Sequence, residues 1–136
     1  MQSITVSALI NAPIEKVWKT WTTPEDIENW NTASPDWHCP KAKNDLHVGG
    51  KFSYTMAARD GSFSFDFEGI YTGISEPKYI EYTILDGRRV TIHFAKAEIG
   101  TTITETFEIE DTHSEEEQRT GWQSILDNYK NYIESI

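Results

Sequence analysis

Glu105 is the residue of this sequence best placed to do chemistry. Within Thr101–Glu110, Thr102, Thr104, Thr106 and Glu108 alternate with Ile103, Glu105, Phe107 and Ile109. Strand geometry therefore puts its carboxyl on the same face as large apolar side chains. A carboxyl so placed can bind a ligand hydroxyl, or act as a general acid or base with its pKa raised by desolvation. It can equally lie near a sheet edge or pair with an arginine or a tyrosine hydroxyl. Tyr54, Tyr82 and Tyr129 could orient a ligand carbonyl, unless backbone groups take up their hydroxyls.

His38, Cys39 and His47 are the one cluster with metal-ligand or nucleophilic residue types. Their spacing fits no closed zinc pattern and no fourth ligand follows, so no metal is expected. A Cys39–His47 nucleophilic pair would need the loop to fold back on itself. His93 has the parity opposite Val90, Ile92 and Phe94 and is expected to face solvent, as is His113. Arg88-Arg89 follows the Asp86-Gly87 turn and reads as a solvated hairpin tip. Gly49-Gly50 precedes a strand rather than a helix, so no phosphate loop and no cofactor is expected.

Around Glu105 the apolar pattern collects an inward aromatic set. Trp18, Trp30, Phe52, Tyr54, Phe65 and Phe67 belong to it, as do Tyr82, Phe94, Phe107 and Trp122, with Met56 as an adaptable filler and Leu126 facing them. Each is compatible with ordinary core. Together they could line a ligand pocket, because a sheet half-wrapped round a helix leaves space between large rings.

The elements that must position these groups are legible from period. The longest is a helix over Ser114–Ile136, with Trp122, Ile125, Leu126, Tyr129 and Ile133 on one side. Ser114 with Glu117 reads as a capping box, and Glu115 and Glu116 favour the helix start. Gly121 inside this helix costs about 1 kcal/mol relative to alanine. Close packing against a neighbour is the expected reason for it, and room for a bound molecule is the other.

Before that helix, Ile4, Val6, Ala8 and Ile10 mark a first strand. Asn11-Ala12-Pro13 supplies a cap and an early proline for a helix carrying Ile14, Val17, Trp18 and Trp21. Thr23, as cap, and Pro24 start a second short helix ending near Trp30. From Asn31 to Asp45 periodicity fails, with a short strand near Lys41 to Asn44. Hairpins follow at Asp60-Gly61 and Asp86-Gly87. The order implies an α+β fold: a curved antiparallel sheet gripping the C-terminal helix, with two short helices closing one end.

The chain has 136 residues and a formal net charge of −10, which argues against nucleic acid as a partner. Residues 1–136 are expected to form one domain. The acidic residues from Glu105 to Glu117 read as a solvated face, or as a docking surface for a basic partner. One cysteine and no signal-like N-terminus make the cytoplasm the expected compartment, and no stretch is apolar enough to span a membrane.

The stretches NAPIEKVWKTWTTPEDIENW, HVGGKFSYTMAARDGSFSFDFEG, TITETFE and GWQSILDNYKNYIES resemble, in matching order and over nearly the whole chain, the activator-of-heat-shock-protein-90-ATPase homologue-like family. That family lies within the superfamily of START-like and birch-pollen-allergen-like domains. The resemblance implies a helix-grip fold with a hydrophobic cavity between sheet and long helix. Superfamily members use that cavity for lipids, hormones or polyketide intermediates. The family name further implies a co-chaperone role, carried in eukaryotic members by larger chains with an additional N-terminal domain. The leading expectation is a domain that binds a small hydrophobic molecule. Beside it stand a cyclase, dehydratase or hydrolase acting on an aromatic or polyketide-like substrate through Glu105, and a module contacting a chaperone or a second copy of itself.

Overall fold

A computed structural model of the chain describes residues 2–136. In chain order its elements are β1 (Ser3–Ile10), α1 (Ile14–Thr22), α2 (Pro24–Trp30), β2 (Trp37–Asn44), β3 (Lys51–Ala58), β4 (Ser64–Ser75), β5 (Tyr79–Ile84), β6 (Arg89–Lys96), β7 (Thr101–Glu108) and α3 (Glu115–Ser135). The strands form one antiparallel sheet in the order β1-β7-β6-β5-β4-β3-β2. The sheet curls round α3, with α1 and α2 following β1: the α+β arrangement expected from the sequence.

Alternation decides which side chains meet the helices. β1 buries Ile4, Val6 and Ile10; β6 buries Val90, Ile92 and Phe94; β7 buries Ile103, Glu105 and Phe107. The hairpin glycines Gly61 and Gly87 adopt φ of 79° and 97°, where a β-carbon would be strained. Asp60 and Asp86 close these turns by accepting from the backbone N–H of Ser62 and Arg88.

Two boundary expectations are corrected. The strand near Lys41 to Asn44 begins earlier, at Trp37. Its register against β3 shifts between His38 and Lys41, around Pro40, and this bulge erases the period-two pattern. Neither short helix has a side-chain cap. Pro13, not Asn11, occupies the cap position of α1. Thr23, although at the cap of α2, turns its hydroxyl back to donate to the Lys19 carbonyl at the end of α1.

α3 carries the capping box at Ser114 and Glu117. Its second half buries Leu126, Tyr129 and Ile133. Tyr129 meets the rings of Trp21 and Trp30 at 4.8 and 5.0 Å. Its hydroxyl lies 2.8 Å from that of Thr20 and donates to the Val17 carbonyl, so it is spent on α1. Along the free edge of β1, the carbonyls of Thr5, Ser7 and Leu9 accept from Arg119, Gln123 and Lys130 of α3. At the opposite edge, the N–H of Ala42 in β2 donates to Glu28 of α2. Among the described residues no helix is long and apolar enough to cross a membrane.

Candidate functional site

A cavity of about 510 Å³ opens between the first half of α3 and the inner face of the sheet. Its position follows from how α3 is held: the second half is fastened to β1, α1 and α2, while the first half stands off β3, β4 and β5. Gly121 contributes to this gap. A β-carbon built there would meet nothing within 4 Å, so close packing is not what retains the glycine.

Of the residues the sequence pointed to, Trp30, Tyr54, Met56, Phe65, Phe67, Tyr82, Glu105 and Trp122 line this space. Trp18, Phe52, Phe94, Phe107 and Leu126 do not. They face inward as their period requires, but are covered by other side chains. Phe94 takes the edges of Trp18 and Trp21, with ring centroids 5.5 and 5.8 Å away. Phe107 lies flat against Trp122 at 4.2 Å, beneath the cavity wall. Phe52 is packed onto Gly69, where a β-carbon would come within 2.6 Å of its ring. Leu126 is fully buried under α3.

Glu105 comes from the middle of β7, level with Val6 on β1 and Ile92 on β6. It is only 6% exposed. Among the described residues no hydrogen bond reaches its carboxyl, although the sequence left an arginine or tyrosine partner open. Desolvation alone raises its pKa from 4.5 to about 8. Burial likewise pushes the Tyr54 and Tyr82 hydroxyls well above their ordinary range, so both stay neutral donors.

The cavity mouth is built from residues that the sequence reading assigned elsewhere. Arg88 is not a solvated hairpin tip: it folds back to Asp86 at 2.9 Å and its side chain is 17% exposed. His113 is exposed, as expected, but reaches Glu110 at 2.9 Å. Gln118 ties this segment together by donating to the carbonyls of Glu110 and His113. With Glu117 these groups form the polar rim. Trp21, Asn31, Ala33, Ile92 and Ile125 complete the wall. Ile92 and Ile125 share the parity or stripe of named residues, so their pattern contained them; the rim depends on how the β7–α3 connection folds and had no such signal.

The other candidate groups do not converge. Cys39 is buried, its thiol directed to the Lys41 carbonyl and its pKa raised by desolvation to about 11. His47 is turned to Asp45 and the Val48 carbonyl, so the two form no nucleophilic pair. No group of three or more His, Cys, Asp or Glu among the described residues is arranged to hold a metal ion. His93 lies on the outer face, its ring 4.8 Å from that of Tyr79 and tilted 54° to it.

Residues 11–134 match the family described as Activator of Hsp90 ATPase homolog 1-like protein. The AHSA1-like protein from Aeromonas hydrophila is 44% identical in sequence, with a TM-score of 0.94 over 98% of this chain and 93% of its own. A protein from Cytophaga hutchinsonii is 50% identical, with a TM-score of 0.85 over 98% of this chain and 92% of its own. A protein from Chromobacterium violaceum, at 24% identity and a TM-score of 0.86 over 96% of each chain, shares the fold. No functionally curated protein matches the chain.

Proposed function

The chain belongs to the Activator of Hsp90 ATPase homolog 1-like family, and we propose that it binds a small, largely apolar molecule between the sheet and α3. The observation that carries this reading is the 510 Å³ space, walled by aromatic side chains inside an otherwise packed molecule. Pockets of this size suit small-molecule ligands, and aromatic walls supply most of the affinity while a few polar groups orient the ligand. Glu105 and Tyr82 are those polar groups, the Tyr54 hydroxyl being directed to Tyr71.

Native mass spectrometry of the purified protein, followed by a thermal-shift screen of fatty acids, sterols, flavonoids and polyketide-like aromatics, tests it. A ligand at 100 times its Kd stabilises the native state by about 2.7 kcal/mol, which shifts the melting temperature measurably. Absence of both a co-purified mass and any stabilising compound would reject the reading.

The isolated carboxyl of Glu105 favours a second reading, catalysis on the bound molecule. A carboxyl with a pKa of about 8 is a competent general acid at neutral pH. On this reading Glu105→Gln abolishes turnover of a bound substrate while the protein still unfolds cooperatively; unchanged turnover would exclude it.

A further inference from the structure

We propose that the cavity selects a protonated amine carried on a flat apolar body, with the ammonium seated against Glu105. This rests on the ligand-binding reading above and adds the chemistry of the ligand's polar end.

The first support is the hydrogen-bonding deficit of Glu105. Its neighbours in register, Val6 and Ile92, and along the strand, Ile103 and Phe107, have no side-chain donor. The carboxyl borders the cavity, and among the described residues nothing donates to it. A carboxyl that opens on a largely apolar cavity with no protein donor ionises only at a cost, so a bound molecule that brings both a positive charge and N–H donors gains most from being there.

The second support is the surroundings. Trp30, Tyr54, Phe67, Tyr82 and Trp122 line the same space, and aromatic rings attract organic cations more strongly once water is excluded. The two cation-forming side chains at the rim are already engaged, Arg88 by Asp86 and His113 by Glu110. Glu117 adds further negative charge to the mouth, and the chain carries a net charge of −10. This field draws cations in and opposes a ligand carboxylate. A neutral alcohol can hydrogen-bond the protonated carboxyl but gains nothing from this field and brings no charge to stabilise the ionised form.

Three probes of one shape separate these cases: 2-naphthylmethylamine, 2-naphthylmethanol and 2-naphthoic acid, titrated calorimetrically into the full chain at pH 7. The expected order is amine, alcohol, acid, with the amine at least about tenfold tighter than the alcohol. In Glu105→Gln the amine's lead should collapse to about threefold or less, with folding verified by a cooperative thermal transition. Amine binding should also release close to one proton, because Glu105 is largely protonated in the free protein at pH 7 and ionised beside the ammonium. Tyr54, Tyr82, Arg88, Glu110, His113 and Glu117 also face this space, so the release is assigned to Glu105 only if it disappears in Glu105→Gln.

Alcohol or acid binding as tightly as the amine, or an amine lead that survives Glu105→Gln, overturns the amine assignment and leaves the cavity reading intact. Failure of all three probes to bind the wild-type chain at millimolar concentration overturns both.

Discussion

Glu105 is protonated in the native protein at a pH where the unfolded chain has already ionised it. Its pKa is raised from 4.5 to about 8 by burial, so stability falls as pH rises between those values and levels off above them. The loss is on the order of a few kcal/mol. Urea unfolding from pH 4.5 to 9 should show this decline in the wild type. In Glu105→Gln the decline should be much weaker, with the variant the more stable of the two at pH 8.5 and about equal at pH 4.5. Cys39 makes a second case. With its thiol buried and its pKa near 11, it should react with iodoacetamide only slowly in native protein at pH 8, and rapidly in urea. Sequence alternation was enough to turn Glu105 inward, because parity is a local property. It was silent on the missing partner, since Arg88 could have reached inward and instead closes on Asp86 two residues away.

α3 combines two halves with different duties. The first is built to begin well and to stand off β3, β4 and β5; the second is built to hold. Ser114→Ala removes the capping bond to Glu117 and should cost about 1 kcal/mol, seen as a lower urea midpoint with unchanged slope. Gly121→Leu should do the opposite to stability and remove binding. It gains about 1 kcal/mol of helix propensity and sends a side chain into open space, so a raised melting temperature together with loss of naphthyl-probe binding is expected. The cap and the apolar stripe of α3 were legible because each needs only neighbouring residues. The reason for Gly121 was not, because close packing and empty space leave the same residue in the sequence. β2 was obscured for a different reason: the bulge round Pro40 breaks its alternation, and pairing with β3 restores the strand only in three dimensions.

Across the whole molecule the inward aromatic set divides between packing and lining. Periodicity cannot make that division, because both groups face the same way; where α3 is fastened decides it. The two groups should respond differently to truncation. Leu126→Ala, at a fully buried site, should cost about 2–5 kcal/mol. Phe65→Ala, at a residue 45% exposed on the cavity wall, should cost under about 1 kcal/mol while weakening probe binding, as read by urea unfolding and calorimetry on the same samples. The donors that α3 sends to Thr5, Ser7 and Leu9, and the carboxylate that α2 sends to Ala42, act at this scale too. An open sheet has two raw margins at which a foreign strand can zip on, the usual seed of amyloid and of strand exchange between copies. Here the first margin has three of its outward carbonyls occupied and the second has a carboxylate across it. The protein can therefore leave a cavity on one side of its sheet without offering its borders to foreign strands.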